Sequence, residues 1–572
     1  MLFFRYLVLA ISASSFATSK LPTRGSDNTE CRYLPGDKCW PRSNQWGQLN
    51  TSVCGRLVAT VPRGHVCHDP TYNDTACEDL RSELLFPRAH FDDPSDFMSP
   101  FFQNATCDPY TPRSEPCLSG NYVEYAINVT NADDVKTGLL FAQENNIRIV
   151  IKNTGHDYSG KSTGKGGLGL WMHNLKDIGF FNYTSYGYSG PAVKMGAGVQ
   201  GSEAFAAADQ AGWNVLGGEC VTVGLAGGFS QGGGHSLLSS LYGLGADQAL
   251  EWEVITANGT HVIATPTKNS DLYWALSGGG GGTYAVVLSL TAKAYPNRKI
   301  GGARLVLQTA SNEDDALWNA VTVFQRDTLP KVVDRGAHVQ WAVLGPVFAI
   351  TEASIPDATE DDMREILQPF TDYLRNSSIP YQLNITSSPT FYAHADKYLG
   401  PLPYGLIPAA QIVGGVMISR TMSANNTTDL VSALRHFSTK YSTWYFSSYA
   451  LDASKPPTSQ NAVLPAWRDM LNYILVTYNW NYTAPLSSER DQKRILTEEI
   501  MPLLRNFSSG AYLNEADFDS PTWREDFYGS NWDRLLEIKQ KWDPDSLLYA
   551  KTAVGSDAWV EAEDGRLCRT GA

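Results

Sequence analysis

The sequence predicts an α+β fold of more than one domain, and three observations predict it. A strand, a helix and a second strand follow one another between Tyr122 and Ile151, an order that closes as a parallel crossover. Three glycine-dense stretches then stand at the ends of strand-like runs. From about Gly301 the pattern changes to strands interleaved with helices that have acidic first turns. At 572 residues the chain also exceeds the roughly 250 to 300 at which single cores stop growing.

The first strand is YVEYAINV. Val135, Leu139 and Ala142 share one face of the helix after it, which Thr130 or Asn131 can cap. IRIVI is the second strand, so the loop NTGHDYSG opens at the end of a buried strand, a place that commonly carries ligand contacts. AVKMGAG reads as a strand, SEAFAAADQAG as a helix ended by Gly212, and WNVLGG as a short strand leading into GGECVTVGLAGGFSQGGGHS. SGGGGGTYAVV follows DLYWAL and precedes a buried strand. In the second domain RLVLQ and HVQWAVL read as strands, and DDALWNAVTVF and EDDMREILQPFTDYL as helices. A last helix runs from about Trp532 to Trp542 and stops at Asp543-Pro544.

Composition narrows the function. Hydrophobic residues make up 43% of the chain, with 15 Trp, 28 Tyr and 22 Phe, which excludes global disorder. The net charge of −14 opposes nucleic-acid or anionic-membrane partners. Residues 1–19, MLFFRYLVLAISASSFATS, have the layout of a cleaved signal peptide, and Asn-x-Ser/Thr sites recur from Asn50 to Asn506. A secreted glycoprotein is expected, with no membrane span after cleavage. Residues 20–120 form a Cys-rich region that reads as irregular. Its seven cysteines plus Cys568 make eight, enough for four disulfides, which leaves Cys220 over. A zinc site of His65, Cys67, His68 and Cys77 is the rival reading of this block.

Three glycine loops at strand ends bring backbone N–H groups close to a phosphate-bearing ligand, with a dinucleotide the expected cofactor. Neither a P-loop nor a strand-coupled G-x-G-x-x-G is present. IKNTGHDYSGKS (residues 151–162) and residues 218–236 resemble the FAD-binding domain of the vanillyl-alcohol oxidase superfamily. The closest resemblance is to its berberine-bridge-enzyme-like branch and the fungal isoamyl alcohol oxidase-like proteins. YLNEAD, YGSNWDRL and KWDPDSLL resemble the berberine-like C-terminal segment.

The resemblance implies a PCMH-type FAD-binding domain of two α/β subdomains over residues 121–300. An α+β substrate domain with an antiparallel sheet spans 301–505, and 506–572 returns to the FAD domain. It implies FAD linked covalently through His156 to the flavin C8 methyl group and through Cys220 to C6. Other cofactor contacts expected from it are Asn153, Thr154, Gly155, Asp157, Tyr158, Ser159, Gly160, Ser162, Val223, Gly224, Gly227, Gly228, Gly233, Gly234, His235, Val286 and Asn514, with Gly279 to Thr283 near the rest of the FAD. Val223 falls where the family gates oxygen access. Tyr512, Glu515 and Tyr242 are the candidate catalytic residues, with His235 beside them. No metal ion is expected. The implied activity is that of a monomeric oxidase taking an alcohol or secondary-metabolite intermediate, with O2 as acceptor and H2O2 as product. Carbohydrate oxidation or a flavin dehydrogenase is the alternative, and a non-catalytic glycoprotein the remote one.

Overall fold

The computed structural model describes residues 31–185, 187–454 and 461–570. The segment read as a signal peptide lies outside the described residues, among which no helix is long and apolar enough to cross a membrane.

The first crossover forms as its periodicity demands. Asn131 caps the helix Ala132–Glu144 by accepting from the Asp134 N–H at 3.1 Å. Val135, Leu139 and Ala142 are fully buried in one cluster with Ile127, Ile149, Leu168 and Leu170. Gly138 allows the close approach, since a Cβ there would meet Leu170 Cδ2 at 2.7 Å. The two expected strands, Tyr125–Asn128 and Ile149–Lys152, are parallel but not adjacent. Leu168–Trp171 lies between them and pairs with both, and Leu57–Ala59 adds an antiparallel edge. The interposed strand follows the NTGHDYSG loop, so that loop is anchored on both sides by the same sheet.

A second, five-stranded sheet is antiparallel throughout, ordered Ile178–Ser185, Tyr188–Gly196, Val286–Lys293, Ala249–Ile255, His261–Ala264. The glycine stretch after Cys220 packs against it through Leu225, Ala226 and Phe229.

Residues from Ile300 onward build a seven-stranded antiparallel sheet, ordered Tyr381–Ser388, Ile300–Gln308, Val347–Pro356, His338–Leu344, Trp444–Ala450, Met470–Asn479, Gln411–Ser419. Strand alternation gives it two chemically different faces. Trp341, Phe446, Ile474 and Val476 enter a large core with the helices Asp315–Val323, Glu360–Asn376 and Arg420–Lys440. Gln340, Tyr445, Ser447, Tyr449, Leu475 and Thr477 face a cavity instead. The C-terminal segment returns to the first half, where Leu513, Tyr528, Leu535 and Ile538 join the core of the five-stranded sheet.

The Cys-rich region is more regular than its composition suggests. Helices Ser43–Ser52 and Asp74–Glu83 form there, and Trp46 stacks on Tyr125 at 4.0 Å. It contains three disulfides rather than the four its cysteine count permits: Cys31–Cys568, Cys67–Cys77 and Cys107–Cys117. Cys39 and Cys54 are exposed thiols. Cys220 is thus one of three unpaired cysteines, and counting alone does not single it out. The zinc alternative is excluded, because Cys67 is bonded to Cys77 and His68 Nε2 contacts the Asp108 carbonyl at 3.0 Å.

Candidate functional site

A cavity of about 610 Å³ lies where the first sheet's loop, the glycine stretch, the open face of the seven-stranded sheet and the C-terminal return meet. Asp157 fixes the first of these walls. Its two carboxylate oxygens accept from the Ser159 N–H at 2.9 Å and the Ser162 N–H at 2.7 Å, folding residues 157–162 into a compact turn.

That turn presents His156 opposite Cys220, with Cys220 Sγ 3.8 Å from His156 Nε2. Thr222 Oγ1 is 2.7 Å from the same nitrogen. Burial pushes the imidazole down to about 3, so it is neutral at physiological pH, and pushes the Cys220 thiol up to about 12. His156 therefore keeps an unprotonated ring nitrogen. With Thr222 on Nε2, Nδ1 has no hydrogen-bond partner except the distant sulfur.

The rest of the wall fits a large, polar-ended cofactor. A Cβ on Gly228 would meet no described atom within 4 Å, so no neighbouring protein atom demands glycine there; Gly282 has a φ of 69° that itself favours glycine, and a Cβ on Gly281 would come 3.5 Å from Gly228 Cα. The main chain is bare where a ligand would lie. Asn153 Oδ1 and Gln231 Oε1 line the same cavity, buried and without partners, and such acceptors are costly to leave unsatisfied.

Most residues expected at the cofactor do line this cavity: Asn153 to Ser159, Ser162, Cys220, Val223, Gly224, Gly227, Gly228, His235 and Asn514, together with Tyr512 and Glu515. Five do not. Gly160 packs behind the loop against Phe102, where a Cβ would come within 2.6 Å of the ring. Gly233 and Gly234 have φ of 116° and 75° and serve the turn that re-aims His235. Val286 points into the core of the first sheet while Val287, one residue on, lines the cavity, as strand alternation requires. Tyr242 stacks on Tyr295 at 3.6 Å, away from the cavity, and this removes it from the catalytic candidates. Of the third glycine cluster, Gly281 and Gly282 line the cavity and Gly279, Gly280 and Thr283 do not.

The opposite wall carries charge. Glu515 Oε2 accepts from the Tyr449 hydroxyl at 2.8 Å, and Glu515 Oε1 lies 3.4 Å from His235 Nε2. His235 stacks on the Tyr449 ring at 3.8 Å. Asn514 Nδ2 donates to the Tyr512 hydroxyl at 2.8 Å and to the Gly228 carbonyl at 2.9 Å, tying the C-terminal return to the glycine stretch. Behind His235, Glu219 Oε1 is 3.1 Å from His338 Nε2, whose Nδ1 is 2.8 Å from Glu352 Oε2. Burial pulls His338 down, but Glu352 and Glu219 outweigh it and carry the imidazole up to about 10. Sequence reasoning missed Glu219, His338, Glu352, Tyr449 and Gln340. Only strand parity in HVQWAVL carried a signal for any of them, placing His338 and Gln340 on the same face.

Residues 123–265 match the family model of an FAD binding domain, and residues 511–555 match berberine and berberine like. The chain is 43% identical over 552 residues to the FAD-linked oxidoreductase ZEB1 of Gibberella zeae, covering 96% of each. It is likewise 43% identical over 576 residues to the VAO-type flavoprotein oxidase VAO615 of Thermothelomyces thermophilus, covering 99% of each. The crystal structure of the VAO-type flavoprotein MtVAO615 from Myceliophthora thermophila C1 matches with a TM-score of 0.91 at 43% identity, over 94% of this chain and 100% of that one.

Proposed function

The chain belongs to the VAO-type, berberine-like FAD-linked oxidoreductases, and from that premise we propose that it is a secreted oxidase, carrying FAD on His156 and Cys220, that takes a bulky, largely apolar alcohol. One observation carries the reading. The two side chains that can bond a flavin stand 3.8 Å apart and line the same cavity as the Glu515 carboxylate.

Bound FAD supplies the two-electron acceptor. The protein's own residues do the rest. His156, neutral and engaged through Nε2 by Thr222, offers Nδ1 as a nucleophile, and Cys220 holds the second position. Glu515 is the group placed to accept the hydroxyl proton of an alcohol. It lines the cavity, and the Tyr449 hydroxyl and His235 fix both of its oxygens. Tyr512 lines the same wall, held by Asn514.

Tyr158, Tyr398, Tyr445 and Tyr549, with Leu406, Ile407 and Leu475, supply flat and apolar surface around the remaining space. That favours a ring-bearing secondary metabolite over a sugar, whose many hydroxyls need polar partners. The small branched Val223 beside Cys220 supports O2 as acceptor, with H2O2 as product. Secretion rests on the leader-like residues 1–19 and on disulfides such as Cys31–Cys568.

Acid precipitation tests the linkage. Yellow colour should stay with the parent chain and with His156→Ala and Cys220→Ala separately, and leave the double variant. A colourless parent chain overturns the bicovalent reading. A panel of alcohols scored by H2O2 under air tests the oxidase, and reduced flavin that reoxidises slowly in air would make the protein a dehydrogenase.

A further inference from the structure

Three buried side chains from separate stretches turn one donor atom each toward a common point: Glu219 beside Cys220, His235 after the glycine stretch, and His338 at the start of the strand His338–Leu344. Those atoms lie within 4.8 Å of one another. Glu219 Oε1 is 3.1 Å from His338 Nε2 and 3.7 Å from His235 Nδ1. A tetrahedron built on metal bonds of about 2.0–2.1 Å has edges of roughly 3.3 Å, so the spacing is close to what one ion needs. Beyond the 3.1 Å contact between Glu219 Oε1 and His338 Nε2, none of the three atoms has a hydrogen-bond partner among the described residues, an unusual state for buried polar groups.

Their outer atoms, by contrast, are all engaged. His338 Nδ1 is 2.8 Å from Glu352 Oε2, and His235 Nε2 is 3.4 Å from Glu515 Oε1. Gln340 Nε2 donates to Glu219 Oε2 at 2.7 Å. A carboxylate behind each imidazole selects the tautomer whose inner nitrogen keeps its lone pair, the support that metal-bound histidines require. Three carboxylates around two imidazoles also leave the buried cluster with excess negative charge, which a divalent cation offsets.

We propose that Glu219, His235 and His338 bind one divalent transition-metal ion of the zinc class. Two imidazoles and a carboxylate suit that borderline cation better than calcium or magnesium, which prefer all-oxygen shells. Glu219 and His235 also line the main cavity, while their inner donor atoms are shut off from solvent, so the ion lies in the layer directly behind the cavity wall and its fourth position takes an oxygen donor. The site stands on its own geometry and does not depend on how the flavin is attached.

The test uses purified full-length holoenzyme, dialysed against a chelator, loaded with zinc chloride, desalted and analysed for metal content. About one zinc per chain is expected for the parent, and the same for a Cys39→Ser/Cys54→Ser control that removes the two exposed thiols. Zinc should raise the melting temperature of the parent and leave that of Glu219→Gln/His338→Gln unmoved. Glu352→Gln keeps all three ligands and should weaken zinc affinity by roughly 10- to 100-fold, a graded loss that general destabilisation would not give. Cobalt chloride should produce ligand-field absorption to the red of the flavin band in the parent and in the Cys39→Ser/Cys54→Ser control, and none in Glu219→Gln/His338→Gln. The proposal is overturned if the folded parent retains no more zinc than Glu219→Gln/His338→Gln. It is equally overturned if the bound zinc disappears with Cys39 and Cys54.

Discussion

Glu219 and Cys220 are neighbours in the chain, yet they belong to walls of opposite character. On the Cys220 side burial meets no countercharge: the His156 imidazole falls to about 3 and the thiol rises to about 12, so both groups are neutral. On the Glu219 side the same burial is overruled. Glu352 and Glu219 carry His338 up to about 10, while the bond and charge from His338 hold Glu219 below the usual carboxylate range against burial. Burial alone sends titratable groups to neutrality, and only a partner within bonding distance keeps them charged. A neutral wall suits groups that form bonds to a cofactor. A charged wall suits proton transfer and ion binding.

The largest effect should come from breaking the charged wall at Glu515. Glu515→Gln keeps an acceptor for the Tyr449 hydroxyl but removes the base. Loss of a positioned base costs about 10²- to 10⁴-fold, to be read as the rate of anaerobic flavin reduction by whichever alcohol the panel yields. Retention of the parent rate would move proton acceptance to Tyr512.

His338→Leu comes next. In the metal-free protein it leaves Glu219 and Glu352 without the cation between them, and stripping one partner from a buried pair costs about 3–5 kcal/mol. Urea unfolding at pH 7 measures it. Adding Glu352→Gln should recover part of the loss, whereas no recovery would mean that packing, not charge, sets the cost.

How much of this contrast the sequence revealed depends on the range of the contacts. The neutral wall was legible because its pieces are local: the NTGHDYSG loop and the GGECVTVG stretch each carry their own motif, and the strand and helix periods around them matched what formed. Even there, the interposed strand Leu168–Trp171 was invisible, since parallel strand order is a long-range property. The charged wall was legible only in part. His235 and Glu515 were candidates through the resemblance, but Glu219, His338 and Glu352 come from separate places in the chain, and none has a spacing that marks it. Val286, taken from the resemblance, does not line the cavity while Val287 does, because successive strand residues face opposite sides of a sheet.

A second histidine sharpens the comparison within one sheet. Ser354 pairs with His338 across the ladder and bonds His394 through its hydroxyl, but among the described residues no carboxylate bonds His394. Burial first, then Lys397 and Arg304, push it down to about 3 from the ordinary 6.5. The unfolded chain therefore binds a proton at His394 that the folded one refuses. The stability this group contributes is present above pH 6.5 and is lost as pH falls toward 3, by about 1.4 kcal/mol per unit at most. In the metal-free protein His338 acts with the opposite sign, contributing fully below 6.5 and losing its part as pH rises through about 10. Unfolding free energies between pH 6 and 5 should decline less steeply in His394→Gln than in the parent, and equal slopes would show that His394 is not the acid-sensitive group.

The smallest effect is expected at Tyr242, where sequence and geometry part. Its ring stacks on Tyr295 and its buried hydroxyl has no hydrogen-bond partner. Tyr242→Phe removes a polar group that gains nothing in the folded state, so stability should hold or rise by no more than about 1 kcal/mol. The flavin-reduction rate should not change, because the hydroxyl does not reach the cavity. The paired variant Tyr512→Phe does change the cavity wall, taking away the hydroxyl that accepts from Asn514 Nδ2. Measured side by side with one substrate, Tyr512→Phe should slow flavin reduction while Tyr242→Phe does not. A slow Tyr242→Phe enzyme would mean that the reacting space extends past the charged wall to the Tyr295 stack, and the two-wall description would have to include it.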